Sequence, residues 1–451
     1  MEATSHQGAE AGRAEAPARP VCFITLGCAK NEADTAAMER RAVVAGYRLE
    51  DDPERADAIV VNTCSFIQSA TEESIEAVLD AAGLPRVASG GTRLVVAGCM
   101  PARYGDELAA ELPEAAAFVP CSREDDIVAV LDGLFGVERA VGEAPADEGA
   151  AARPAGTFGY VKISDGCDRW CSYCAIPLIR GRYRSFPYEQ VRADVARLVD
   201  AGVREVDLIA QDTGRWGADF DEPRDLAWLV DVLAREFPDT WLRVMYLQPE
   251  GVTDELLAVM GRHANVCSYL DIPLQHVCEP VLRAMNRRGS RASFEALVGR
   301  IRAALPDVTL RTTLIAGFPG EDDEQFEELL DFVAEGLFDY VGVFAYSREE
   351  GTAAFDLPGQ VDEDEKAERA QRLRDAADAA SAPLIAARVG RVAEVLVEGA
   401  EEDGQLFGRA QCQAPDVDGV TYLDAGEPGQ VVAARIVDTL LYEMEGEVLE
   451  S

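Results

Sequence analysis

Histidine and lysine are almost missing from this chain of 451 residues, with three of the first, His6, His263 and His276, and three of the second, Lys30, Lys162 and Lys366. So few imidazoles exclude a multi-histidine zinc or copper centre and leave thiolates as the main metal ligands. Long apolar runs are missing too: no stretch of about eighteen apolar residues is present to span a bilayer. The opening MEATSHQGAEAGRAEAPARP lacks the apolar segment of a secretory signal. We read residues 1–20 as a disordered, solvated tail and expect a cytoplasmic protein with no membrane association. Basic charge is scarce as well, since 42 Lys plus Arg face 82 Asp plus Glu, a formal net charge of −40. Such a chain repels nucleic acid as a whole. Its acidity suits either solubility in a salty cytoplasm or steering of a basic macromolecular partner.

What the chain does have is cysteine, eleven in all. In a long chain without an export signal these point to metal binding or catalysis rather than to disulfides. The length calls for several cores, and the pattern supplies three. VCFITLG, AIVVN and TRLVVAG alternate with helical stretches at 31–45 and 69–82, which predicts an open parallel α/β sheet domain over 21–136. Residues 137–157, acidic and rich in Ala, Gly and Pro, form a linker. Six strands, FGYVKIS, VREVDLIA, WLRVMYL, VCSYLDIPL, TLRTTLIAGF and YVGVFAYS, then alternate with helices over 158–388, which predicts a partial, TIM-like (β/α)6 barrel with its chemistry at the strands' carboxyl ends. Short strands with Gly/Asp turns over 389–451 predict a small all-β barrel. The whole is an α/β multidomain protein.

Two sets of cysteines stand out. SDGCDRWCSYCAIP places Cys167, Cys171 and Cys174 as CxxxCxxC directly after the first barrel strand. Three thiolates on one loop can hold three irons of a 4Fe-4S cluster and leave the fourth iron open. Structural zinc is the alternative, but a closed zinc site wants a fourth Cys or His that this loop lacks. Cys28, Cys64 and Cys99 each follow a strand of the first sheet, so they converge on the carboxyl rim where open α/β sheets bind ligands. The competing account makes them ordinary buried small residues. That account is the preferred one for Cys22, Cys121, Cys267, Cys278 and Cys412, with Cys22 and Cys267 expected inside strands.

These residues carry a resemblance. CxxxCxxC at the end of a barrel's first strand resembles the radical S-adenosylmethionine (SAM) signature, and TLGCAKNEAD, VNTCSF and VVAGCMPARY resemble the amino-terminal motifs of the methylthiotransferase family. DGCDRWCSYCAIPLIRGRYRSFP, DIPLQH and LFGRAQCQAPDVDG resemble its ribosomal-protein branch, RimO-type, and the last barrel resembles a TRAM domain. The resemblance implies two 4Fe-4S clusters and SAM as cofactors. Cys167, Cys171 and Cys174 would hold the cluster that cleaves SAM to a 5′-deoxyadenosyl radical. Cys28, Cys64 and Cys99 would hold an auxiliary cluster that presents sulfur. The implied substrate is an aspartate of ribosomal protein S-twelve, methylthiolated at its β-carbon, with flavodoxin or ferredoxin as electron donor and a separate sulfur donor. Tyr173 could stack on adenine, Gly317 and Glu321 of GFPGE could line the SAM pocket, and Glu205 and Gln211 could receive SAM's amino group or ribose. Each of these five also has a bland account as an ordinary loop or strand-end residue. Two other functions fit less well: the same chemistry on tRNA (MiaB-type), which asks for a basic surface, and a non-catalytic Fe-S carrier, which would not need the barrel.

Overall fold

The computed structural model describes residues 18–138 and 156–449. Most of the expected tail (1–20) and linker (137–157) lies outside the described residues. The first domain is a five-stranded parallel sheet in the order β2-β1-β3-β4-β5, made of β1 Pro20–Thr25, β2 Arg48–Leu49, β3 Ala58–Thr63, β4 Arg93–Gly98 and β5 Ala117–Pro120. Alternation along the strands serves two layers. Val21, Val60 and Val95 pack under helices Ala29–Val44 and Ile127–Phe135, while Cys22, Ile59, Val61 and Val96 pack under helix Gln68–Gly83. Central β3 is buried at every position, as a strand covered on both faces must be.

The second domain contains β6 Phe158–Lys162, a short antiparallel pair β7 Ser164–Asp165 and β8 Arg184–Ser185, then β9 Glu205–Ile209, β10 Trp241–Val244, β11 Tyr269–Asp271, β12 Thr309–Ala316 and β13 Tyr340–Ala345. Parallel ladders β6-β9-β10 and β11-β12-β13 are joined by the isolated bridge between Leu242 and Val266, giving a six-stranded partial barrel. Cys267, expected inside a strand, lies just before the short β11 and is fully buried. The long helix Glu363–Ala386 leads to the third domain, a closed barrel of β14 Val392–Ala400, β15 Leu406–Ala410, β16 Thr421–Leu423, β17 Val431–Leu440 and β18 Glu443–Val448.

Every strand of the partial barrel contributes a side chain to the seat of this last barrel. Tyr160 of β6 donates to Asp416 (2.7 Å), and Glu205 of β9 is ion-paired with Arg409 (2.7 Å). Arg243 of β10 donates to the carbonyls of Gln411 (2.8 Å) and Gln413 (3.1 Å). Tyr269 of β11 donates to Asp418 (2.7 Å), Arg311 of β12 lies 3.5 Å from the same carboxylate, and Tyr340 of β13 packs on the Tyr442 ring. At the centre Arg243, with no exposed side chain, is ion-paired with Glu205 and Asp207. Removing one member of a fully buried ionic set leaves the others uncompensated, which costs about 3–5 kcal/mol. Arg243→Met is therefore expected to destabilise the fold by that order and to expose the last barrel to limited proteolysis, with Glu205→Gln in the same chain restoring part of the loss in a denaturant titration.

Candidate active site

The loop from Cys167 to Cys174 is held from several sides. Gly166 adopts φ +73°, and a Cβ there would come within 2.2 Å of the Arg182 carbonyl, so only glycine lets the chain turn here. The Cys167 N–H donates to the Gly181 carbonyl (3.2 Å) and the Cys174 N–H to the Cys171 carbonyl (3.0 Å). Asn286 donates to the carbonyls of Arg169 (3.1 Å) and Trp170 (2.9 Å), and the Ser172 hydroxyl donates to that of Ala284 (2.7 Å). The three cysteines are half-buried, and their thiols interact electrostatically with one another. Burial pushes the Cys174 thiol up to about 12 and raises that of Cys167. Arg287 and the Tyr173 hydroxyl both hydrogen-bond Cys171.

The second set sits on the carboxyl rim of the first sheet. The ladder pairs Thr63 with Gly98 and Gly98 with Pro120, so the residues one step further, Cys64, Cys99 and Cys121, lie side by side. Cys28 caps helix Ala29–Val44 after Gly27, whose φ of +98° and missing Cβ leave room for the Cys64 thiol. Asn31 ties the three loops together. Its Oδ1 accepts from Cys28 Sγ (3.7 Å) and Cys99 Sγ (3.9 Å), and its Nδ2 donates to the carbonyl of Thr63 (2.9 Å), next to Cys64. Burial pushes the Cys64 thiol up to about 11. Cys99 goes down to about 6, through a hydrogen bond from Cys121 and the nearby Arg180 guanidinium, which together outweigh burial.

The two sets face each other. Ala175, adjacent to Cys174, and Ile179 pack with Cys99 and Cys121 in one small apolar cluster. Beside it lies a buried ionic network between the domains. Arg180 donates to Asp34 (2.8 Å) and Asp165 (3.3 Å) and approaches Cys99 Sγ (3.7 Å), while Lys162 is paired with Asp34 and with Asp165 (3.1 Å). Burial alone would raise Asp165, but Lys162 and Arg180 outweigh it and hold the carboxyl down at about 2. Lys30 reaches the same mouth, its Nζ 3.0 Å from the centre of the Tyr246 ring. Burial lowers its ammonium to about 8, against the pull of Cys28 and Asp271.

Of the other residues singled out from the sequence, Gln211 stands just past the carboxyl end of β9, and its Oε1 is buried with no hydrogen-bond partner among the described residues. Glu205 does not join the site. It opens β9 at the opposite end, where Arg243 and Arg409 take up its carboxylate, so the expectation that it serves SAM is corrected. Gly317 and Glu321 form an internal brace: Glu321 Oε1 accepts from the Gly317 N–H (3.0 Å) and Arg369 (2.8 Å), its Oε2 lies 3.3 Å from His276, and Lys366 fills the space where a Gly317 Cβ would be. Tyr173 packs against the barrel core. Cys121, assigned from the sequence to core packing, does pack in a cluster, but that cluster is the wall of the auxiliary site. The signal was there, since AFVP precedes it as a strand precedes the other three.

Three chemically similar donors per site, with no fourth thiol in either set of ligands proposed here, suit clusters with one open iron. Among the described residues no three His, Cys, Asp or Glu side chains gather closely enough for a single metal ion.

Known proteins agree with this architecture. Residues 20–120 match the model described as uncharacterized protein family UPF0004, 161–333 the radical SAM superfamily, and 389–449 the TRAM domain. The solved structure of the radical SAM methyltransferase TsrM from Kitasatospora setae, with cobalamin and a 4Fe-4S cluster bound, aligns with 75% of this chain and 74% of its own at a TM-score of 0.56; at 13% identity that likeness concerns the fold. Fold and site together define a radical SAM enzyme with two 4Fe-4S clusters. The curated ribosomal protein uS12 methylthiotransferases RimO of Geobacter sulfurreducens and Syntrophotalea carbinolica are 41% and 42% identical to it, over 95% and 96% of this chain and 98% and 97% of theirs. That of Trichlorobacter lovleyi is 40% identical over 95% of this chain and 98% of its own. The chain belongs to the RimO family of radical SAM methylthiotransferases.

Two outcomes follow. If Cys167 and Cys64 each hold a different cluster, Cys167→Ala and Cys64→Ala should each lower the iron content of anaerobically reconstituted protein by about half. Glu124, buried near Asp34, gives the second: burial first, and then the Asp34 charge, pushes its carboxyl up to about 9. A folded value above the ordinary one means that stability present at low pH is lost as pH rises toward 9. Glu124→Gln should thus stabilise the cluster-free protein by about 1 kcal/mol or more at pH 8.5 and hardly at all near pH 4.5, as melting curves at the two values would show.

Proposed function

We propose that this enzyme methylthiolates the β-carbon of an aspartate in ribosomal protein uS12. The observation that carries the proposal is the face-to-face placement of the two cysteine triads, with Ala175 beside Cys174 packed on Cys99. When loaded, one cluster supplies reductive cleavage of SAM and the other supplies sulfur. The chain's own residues do the rest. The Cys167–Cys174 loop and its brace from Asn286 and Ser172 fix the first cluster at the barrel mouth. Asn31 and Arg180 hold the second against that mouth, and Ala175 and Ile179 pack on Cys99 and Cys121 across the domain boundary. Gln211 offers an unpartnered buried oxygen on the same rim, suited to SAM's amino group or ribose.

The curated relatives are named for uS12, and acidity over most of this surface suits a basic ribosomal protein. The last barrel has only Arg391, Arg409 and Arg435, and Arg409 is buried in the seat described above, which disfavours an RNA partner. An electron donor such as flavodoxin or ferredoxin and a separate sulfur donor complete the reaction, which we place in the cytoplasm; no described helix is long and apolar enough to cross a membrane. The test is mass spectrometry after anaerobic incubation of reconstituted enzyme with SAM, reductant and sulfide, with uS12 and unmodified tRNA offered in parallel. A methylthio gain on an aspartate peptide of uS12, absent in Cys167→Ala and Cys64→Ala, is the expected result; a gain on tRNA adenosine alone would reassign the substrate.

A further inference from the structure

The mouth between the two triads is lined with cations, and nearly all are engaged by the protein itself. Arg180 and Lys162 are neutralised by Asp34 and Asp165. Arg169 is taken by Asp212 and Glu250. Arg287 donates to the Pro273 carbonyl (2.7 Å). Lys30 is the exception. Two residues beyond Cys28, its half-buried ammonium rests on the face of Tyr246 and has no hydrogen bond or ion pair among the described residues. Tyr246 is itself held in a left-handed conformation, φ +62°, just past the end of β10, with its N–H donating to Asp271 (3.2 Å). An ammonium has three N–H donors, and a ring face satisfies them poorly. The site is therefore one charge-assisted partner short.

The geometry points to Lys30 as the group that receives the side-chain carboxylate of the target aspartate, an assignment that rests on the protein substrate proposed above. The chemistry of that substrate asks for such a group. The carboxylate is one bond from the β-carbon that loses hydrogen and gains sulfur, so a cation gripping it fixes that carbon. Lys30 stands on the loop that carries Cys28, so the gripped carbon lies beside the auxiliary triad. The Tyr246 platform comes from the barrel and aims the ammonium from the other side, so that carbon also faces the mouth where the radical is generated. The same contact would select aspartate over its uncharged isostere asparagine.

The experiment is a double-mutant cycle on reconstituted enzyme, which pairs Lys30→Met with an Asp→Asn change at the modified position of uS12 and reads both the dissociation constant for uS12 and the initial rate of methylthiolation. Each single change should weaken uS12 binding or rate by about tenfold, the value of one charge-assisted hydrogen bond. The two together should cost no more than either alone, and Lys30→Arg should recover part of the loss. Melting temperature and iron content distinguish a misfolded variant from one that has lost recognition. Additive losses would overturn the assignment, as would a Lys30→Met enzyme whose affinity for SAM falls in step with that for uS12, because the ammonium would then serve the carboxylate of SAM. A wild-type enzyme that treats uS12 and its Asp→Asn form alike would instead overturn the functional reading beneath it.

Discussion

Arg180 is the interaction on which the active site depends. It lies just past the helix that follows Cys174, and its guanidinium crosses into the first domain to reach Asp34, Asn31 and Cys99 while also touching Asp165 of its own domain. One planar, fixed-charge group thus connects both cysteine sets. A lysine could not, because it lacks the fork that bonds several acceptors at set angles. Buried ionic contacts of this type add little net stability, since desolvation offsets attraction. What they provide is position. A radical made on one side and a sulfur held on the other can meet only if two separately folded domains keep a fixed separation, and a buried pair that tolerates no unpaired member enforces it.

Much of this was legible in the sequence because it is written in local pattern. CxxxCxxC is a single loop, and the rule that ligands gather at the carboxyl ends of parallel strands needs only strand periodicity to bring Cys28, Cys64 and Cys99 together. Three kinds of information were not local. Cys121 escaped because β5 has only four residues and ends in proline, so its strand signal is weak, although the ladder sets it in line with Cys64 and Cys99. Glu205 looked like a strand-end acid near the cofactor, but a five-residue strand has two ends, and its partner Arg409 is 204 positions away. Lys30 carried no sign of its place, since the Tyr246 ring it rests on comes from another domain.

The seat of the last barrel shows how one motif can mislead about function while informing about family. APDVDG, which points to the ribosomal-protein branch, is anchored here through buried Ala414 and Pro415, while Asp416 and Val417 are exposed. Exposed Asp416, at φ +62°, accepts from the Tyr160 hydroxyl, the buried Asp418 carboxylate accepts from that of Tyr269, and Ala414 is fully buried. The motif therefore fixes where the barrel sits. Because all six strands of the partial barrel help to form this seat, the last domain is bound as firmly as a core element rather than hung on a linker. Any surface it presents to a substrate is held in register with the mouth.

The charge distribution then becomes intelligible as two layers. Over the whole chain acids outnumber bases nearly two to one, yet two of the three lysines, Lys30 and Lys162, together with Arg180 and Arg287, are gathered around the cysteine triads. A cluster held by three thiolates is anionic, and burying an anion without nearby positive charge is costly. The inner cations answer that cost, and the acidic exterior acts at longer range on a basic partner. The two layers would oppose each other for a nucleic acid, which the exterior repels before the mouth can act. For a basic protein that offers an aspartate they cooperate: the outer field draws in the domain, and Lys30, the inner cation left without a partner among the described residues, receives the carboxylate.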